Sequence, residues 1–346
     1  MAILLATQFD AADWAAWWPA LQQALPGERL LRDRTEAAPG ERVDIALVAN
    51  PPRGALADLP DLRLVQSLWA GVDKLLADPT VPHDVPLARM IDPAMNEAMA
   101  ETALWAVLSL HRDHFAYAQA QREGRWRPLP QRRADELRIA VLGLGQMGRA
   151  CAQRLVRNGY PVVGWSARPT TVEGVATHAG AAMLPQVLGS ADVVVNLLPL
   201  TEATRGLFNA ATFALLPRGA ALVNLARGGH VVEADLLEAL ASGQLAHAVL
   251  DVFDTEPLPS AHPFWSHPRI TVLPHVAAQT DPRSAAIIAA RNVRLLREGG
   301  APLSITAKLG GGFPTATAIA FTVDAAGRHH YDGVFYAKDH GGGGGE

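Results

Sequence analysis

The chain has 346 residues, 49% hydrophobic and 18% charged, with a formal net charge of −4, which describes about two globular domains and lacks the basic footprint of a nucleic-acid binder. No apolar run approaches the ~20 residues a membrane span needs. Cys151 is the single cysteine, so an internal disulfide is excluded and a cytoplasmic setting is expected.

Residues 2–6 (AILLA) read as a strand, and their acidic, non-basic context does not resemble a signal peptide. Trp14, Trp17, Trp18, Leu21 and Leu25 then recur at helical spacing, and Pro26-Gly27 ends the helix. Residues 44–49 and 62–68 read as strands, the second running into Trp69-Ala70-Gly71-Val72-Asp73. The alternation makes a small α/β domain. Residues 95–114 lack Gly and Pro and read as one long helix leading to a second domain, followed by a polar loop rich in Arg, Pro and Trp at 122–133.

The second domain opens on residues 137–155, LRIAVLGLGQMGRACAQRL. A short apolar strand is followed by Gly143, Gly145 and Gly148 at G-x-G-x-x-G spacing and then by a helix. That order suits a dinucleotide phosphate site: a tight turn, close backbone approach to the pyrophosphate, close helix–strand packing, and a helix N-terminus facing the anion. Strands at 161–165, 191–198, 220–225, 246–252 and 270–273 alternate with helices, including one at 233–242, and a last helix spans 284–296. Near-continuous apolar strands of this kind indicate a parallel sheet covered on both faces. Cys151, in the helix after the glycines, suits a small buried residue. The tail beyond 309 is glycine-rich; 313–323 has strand composition with no obvious partner.

Three polar residues follow predicted strand ends: Arg227 in Asn-Leu-Ala-Arg-Gly-Gly, Glu256 in Asp-Val-Phe-Asp-Thr-Glu-Pro, and His275 in Leu-Pro-His-Val-Ala. Ligands of open α/β sheets bind beyond the carboxyl ends of the strands. Singly, each suits a bland role: a solvated arginine, a turn glutamate, a structural histidine. Together, after a dinucleotide fingerprint, they fit one chemistry. Arg grips a carboxylate through its fork, His donates a proton near neutral pH, and Glu holds the imidazole and favours its charged form. No metal site is expected; His262, His267, His329 and His330 lie in irregular stretches without a carboxylate or cysteine pattern.

These motifs resemble the D-2-hydroxyacid dehydrogenases, whose catalytic trio comes in the same order, and the resemblance spans roughly residues 1–300. Trp165-Ser166-Ala167-Arg168, Asn196-Leu197-Leu198-Pro199 and His230-Val231-Val232 look like its bacterial glyoxylate/hydroxypyruvate reductase branch. The resemblance implies an α/β fold of two Rossmann-like domains with doubly wound parallel sheets. Residues 1–101 and 278–306 would form a discontinuous substrate-binding domain, 102–277 the NADP-binding domain and 307–346 an atypical tail. It also implies a homodimer to which the long helix contributes. It assigns Gln146, Met147, Leu198, Pro199, Thr204, Ala226 and Asp251 to the coenzyme with the three glycines. Trp69, Ala70 and Gly71 would join Arg227 and His275 at the substrate, with the Ala70 and Gly71 amides on the carboxylate and Trp69 either beside it or packed in the core. One departure stands out: Ala49-Asn50-Pro51-Pro52 replaces the bulky aromatic expected after the strand in the glyoxylate-specific branch.

The strand at 161–165 ends without the acid that binds a ribose diol; Ser166 and Arg168 stand there instead, suited to a 2′-phosphate. NADP(H) is therefore expected over NAD(H), with Arg168 as a solvated loop residue the alternative. The implied reaction is reduction of a short 2-oxo acid, with His275 as acid, Arg227 on the carboxylate and Glu256 orienting His275. The competing readings are an NAD-linked enzyme acting on a larger 2-hydroxy acid and a nucleotide-sensing, corepressor-like binding protein. Neither nucleic acid nor membrane is an expected partner.

Overall fold

The computed structural model describes residues 1–82, 84–308, 320–323 and 329–332, which divide into two compact units, Met1–Asp92 with Thr280–Glu346, and Pro93–Gln279. The first crossing lies at Pro93 rather than Thr102. The reason is packing: Met99, Ala100, Ala103 and Val107 of the long helix all join the core of the second unit, so the helix cannot be cut in its middle.

The first unit contains strand β1 (Ala2–Thr7), helix α1 (Ala11–Ala24), β2 (Leu30–Leu31), β3 (Val43–Ala49), β4 (Leu64–Ser67), α2 (Asp73–Ala77) and β5 (Pro86–Ala88). In the second unit come α3 (Pro93–His111), α4 (His114–Arg122), β6 (Ile139–Leu142), α5 (Gln146–Arg157), β7 (Val162–Ser166), β8 (Ala176–Ala179), α6 (Leu184–Gly189), β9 (Val193–Asn196), α7 (Ala210–Leu215), β10 (Ala220–Asn224), α8 (Glu233–Ala241), β11 (Leu245–Leu250) and β12 (Ile270–Val272). The chain then returns to the first unit with α9 (Pro282–Arg297) and β13 (Ile305–Lys308).

The smaller sheet has six strands in the order β13-β5-β4-β3-β1-β2, parallel except for β13 at its edge. β13 takes in the first residues that the sequence assigned to the tail. Of the expected strand at 313–323, the described part is β14 (Ala320–Val323), which pairs antiparallel with β15 (His329–Asp332), so that stretch has a partner after all; the rest lies outside the described residues. The returning helix is fastened to the small unit by polar contacts that alternate along it. Asn292 Nδ2 donates to Gln66 Oε1 at 2.5 Å, and Leu303 N donates to Asn292 Oδ1 at 2.8 Å. Arg297 meets Glu28 through two bonds of 3.0 and 2.9 Å and also meets the buried Asp44. Burying such groups is tolerable only because they pair.

The larger sheet has seven parallel strands in the order β12-β11-β10-β9-β6-β7-β8. Its strands are apolar because helices cover both faces, and β6, β9 and β10 are buried at every position. The order runs outward from β6 in both directions, so the topology switches between β6 and β9, where open sheets of this kind bind ligands. The long helix expected over 95–114 breaks at Asp113, whose φ of 54° is left-handed, and α4 starts after it.

Phe115 of α4 stacks on His247 of β11 with ring centroids 4.2 Å apart, and His247 Nε2 lies 2.9 Å from Thr271 Oγ1. Burial, with a smaller contribution from His267, lowers the His247 pKa from 6.5 to about 4. The folded state therefore binds fewer protons at this group than the unfolded chain does. Its contribution to stability is intact above the unfolded value and is lost as pH falls through the window from 6.5 to 4. Between pH 7 and pH 5 the folded state should lose about 2 kcal/mol at this group. Denaturant titrations of wild type and His247→Gln at both pH values check this; a variant that loses stability as steeply as wild type would refute it.

Candidate active site

Parallel pairing puts the carboxyl ends of all seven strands of the larger sheet on one edge, and Gly143, Leu198, Arg227, Asp251, Glu256 and His275 follow those ends, with Ser166 the last residue of β7. After β6, Gly143 adopts φ +95°, and a Cβ there would stand 2.6 Å from Leu197 O of the loop after β9. A Cβ on Gly148 would stand 1.7 Å from Gly143 O, so helix α5 can start so close to β6 only with glycine at that place. A Cβ on Gly145 would meet nothing within 4 Å. Two glycines thus allow the loops to touch, and the third leaves an open flank at the N-terminus of α5, where a pyrophosphate fits. Gln146 and Met147 form the first turn of that helix.

After β7, Ser166 Oγ donates to Arg168 O at 2.7 Å, closing the turn, and Arg168 is exposed. After β9, Leu198 is buried, and Thr204 Oγ1 donates to Pro199 O at 2.7 Å while accepting from Thr201 N at 2.8 Å. Thr204 thus ties its own loop. The neighbouring Ala226 is buried, and its carbonyl accepts from Arg227 Nη1 at 2.6 Å.

Arg227 leaves β10 with extended backbone, φ −147°, ahead of a tight turn at Gly228–His230. A Cβ on Gly228 would lie 1.9 Å from the Phe253 carbonyl carbon, so the Arg227 turn can abut the Glu256 loop only because residue 228 is glycine. Glu256 Oε1 accepts from Phe253 N at 2.9 Å, and its Oε2 is 2.8 Å from His275 Nδ1. One carboxylate therefore closes its own loop and holds the imidazole, leaving Nε2 as the ring nitrogen for proton transfer. His275 has φ +55°, a left-handed conformation costly for a histidine. Asp251, 1% exposed, holds it: its backbone carbonyl accepts from His275 N at 2.9 Å, and its carboxylate accepts from Val276 N and Ala277 N at 2.7 and 3.1 Å. Burial raises the Asp251 pKa, opposed by those amide bonds and by His275.

In the first unit, Trp69 follows β4 and is half-buried, packing at 5.5 Å from Trp17 and 6.4 Å from Phe9. Its carbonyl accepts from Met90 N at 3.1 Å and Ser67 Oγ at 2.9 Å, which fixes the start of the Ala70-Gly71 turn. After β3, at the place where an aromatic was sought, Asn50 turns the chain with φ +45°.

Among the described residues, no group of three or more His, Cys, Asp or Glu could hold a metal ion, and no helix is long and apolar enough to cross a membrane. His262 Nε2 lies 3.2 Å from Glu233 Oε2, a partner remote in the chain. Gly228 and the buried Asn196, Asn224 and His230 beneath the Arg227 turn were not recognised as part of the site from the sequence.

Residues 104–277 match the NAD-binding domain of the D-isomer-specific 2-hydroxyacid dehydrogenases. A glyoxylate/hydroxypyruvate reductase A from Serratia proteamaculans is 42% identical over 304 residues, covering 86% of this chain and 95% of the relative. A D-isomer-specific 2-hydroxyacid dehydrogenase from Xanthobacter autotrophicus Py2, solved with NADPH and MES, superposes with a TM-score of 0.83 at 43% identity, covering 89% and 98% of the two chains. An NADPH-dependent glyoxylate/hydroxypyruvate reductase from Sinorhizobium meliloti, solved with NADP and sulfate, gives 0.82 at 35% identity and the same coverage. On this evidence the chain is a member of the D-isomer-specific 2-hydroxyacid dehydrogenase family.

Proposed function

We propose that this chain reduces a short 2-oxo acid of the glyoxylate or hydroxypyruvate type to the D-2-hydroxy acid, with NADPH as reductant. The observation that carries the reading is the 2.8 Å His275–Glu256 pair, set beside the Arg227 turn on the strand edge that also bears the glycine turn. Residues 93–279 would hold the dinucleotide, and the first unit would serve the substrate. Gly143, Gly145, Gly148 and the first turn of α5 would cradle the pyrophosphate, and Ser166 and Arg168 would take the 2′-phosphate. Leu198, Pro199, Thr204, Ala226 and Asp251 would line the rest of the dinucleotide. When bound, NADPH supplies the hydride that the carbonyl carbon accepts.

This chain's residues do the rest. Arg227 grips the carboxylate in bidentate geometry and polarises the carbonyl. His275 Nε2 hands its proton to the carbonyl oxygen, so no free alkoxide has to form. Glu256 keeps Nδ1 engaged and the ring in one orientation. The curated relative from Serratia proteamaculans and the NADPH complex from Xanthobacter autotrophicus support the substrate class and the coenzyme. We further propose a cytoplasmic homodimer joined partly through α3, which leaves Trp105 and Leu108 each 39% exposed.

Coenzyme oxidation across a panel of glyoxylate, hydroxypyruvate and a branched 2-oxo acid, with NADPH and NADH in parallel, tests the reading. Higher kcat/KM with NADPH on the two short acids is expected. A preference for NADH refutes the coenzyme assignment, a preference for the branched acid refutes the substrate class, and binding without turnover leaves a nucleotide-sensing protein.

A further inference from the structure

A fully buried imidazole sits below the two loops that the reductase reading gives to coenzyme and substrate. His230 Nδ1 lies 3.1 Å from Asn196 Nδ2 and 3.1 Å from Arg227 O, while its Nε2 lies 3.3 Å from Pro199 O. Asn196 Nδ2 also donates to Asn224 Oδ1 at 2.9 Å, and Asn224 Nδ2 donates to Arg227 O at 3.0 Å. The orientation of both amides follows from their oxygens, which accept from Leu198 N and Ala226 N at 3.3 Å each.

The ring nitrogens face three partners: Nδ1 stands between Asn196 Nδ2 and Arg227 O, and Nε2 faces Pro199 O. The imidazole thereby bridges the end of β9, the loop that follows it and the Arg227 turn. Beyond the last ladder bonds of β9 and β10, sheet pairing no longer sets the spacing of these loops.

We propose that His230 is a positioning residue: one buried imidazole fixes the Leu198-Pro199 loop on one side and the Arg227 turn on the other, and so couples coenzyme binding to substrate binding. Both halves of this proposal rest on the reductase reading, the coenzyme half only on its assignment of the Leu198-Pro199 loop to the dinucleotide. An apolar side chain of similar size would take one polar partner from each of Asn196 Nδ2, Arg227 O and Pro199 O. Both loops would then drift, while the His275–Glu256 pair would stay in place.

Three variants test it, with the NADPH Kd read by fluorescence without turnover and KM and kcat read on the preferred 2-oxo acid. His230→Leu should raise both the NADPH Kd and the KM for the acid by about tenfold, the scale of one lost hydrogen bond, with a smaller change in kcat. Asparagine places its polar atoms where Nδ1 stands, so His230→Asn should restore KM for the acid and not the Kd. Glutamine reaches where Nε2 stands, so His230→Gln should restore the Kd and not the KM. Wild-type constants in His230→Leu overturn the proposal, as does a pair of isosteres that fail to separate the two effects. If His230→Leu does not fold, the Asn and Gln variants carry the comparison, and failure of all three to fold makes His230 a folding residue and ends the proposal. A wild-type protein that binds NADPH and reduces no 2-oxo acid sinks the reductase reading alone, because the Kd arm is still measured.

Discussion

His275→Asn should lower kcat by about 100-fold or more while leaving the NADPH Kd and the fold intact. Asparagine is the right replacement for structural reasons. Residue 275 sits at φ +55°, a conformation that asparagine tolerates better than most side chains, so the loop after β12 should keep its path. The amide bonds from residues 275–277 to Asp251 involve only backbone hydrogens and survive the change. An asparagine amide reaches about as far as Nδ1 does, so Glu256 retains a donor. What disappears is Nε2 and the proton it delivers. Steady-state rates, with thermal melts as the control for folding, check the outcome. A normal kcat in a folded His275→Asn protein would remove His275 from the role of acid and with it the mechanism proposed above.

Much of this arrangement was legible in the chain because its signals are local. The glycines at 143, 145 and 148 announce a strand–turn–helix, and Arg227, Glu256 and His275 each come within six residues of the end of an apolar strand. A residue that follows a strand of a parallel sheet must come out on the common carboxyl edge, so topology places all three on that edge, where Glu256 and His275 meet. What was hidden depends on contacts between remote residues. Asn196, Asn224 and His230 form one network across separations of 28 and 34 residues, and no spacing rule connects them. Gly228 reads as an ordinary turn residue until the Phe253 backbone is seen against it. Ser166 shows a hydroxyl at the right place, but only the coordinates reveal that it already closes a turn on Arg168 O. The short strands β2 and β5 and the edge strand β13 lack the length for alternation to register, and the break at Asp113 has no Gly or Pro to mark it.

Arg227→Lys should cut kcat/KM for a 2-oxo acid by about 100-fold to 1,000-fold, or about 3 to 4 kcal/mol, and should leave the NADPH Kd unchanged. The charge is conserved in this substitution, so the loss isolates geometry. A guanidinium offers two parallel donors to a carboxylate, whereas an ammonium on a flexible stem offers a point charge. Its backbone gives the guanidinium a fixed base: the Arg227 carbonyl accepts from Asn224 Nδ2 at 3.0 Å, and the following Gly228 packs on the Phe253 backbone. These contacts involve the backbone alone and persist in the lysine variant. The same variant should lose much less on an aldehyde that lacks the carboxylate, because only the polarisation of the carbonyl is then affected. Arg227 and His230 can thus be told apart. Losing the side chain that grips the acid should affect only the acid, whereas losing the imidazole that spaces the two loops should affect the acid and the coenzyme together. An Arg227→Lys protein that weakened NADPH binding as much as it weakened turnover would place Arg227 in the dinucleotide site and leave the substrate carboxylate without its assigned partner.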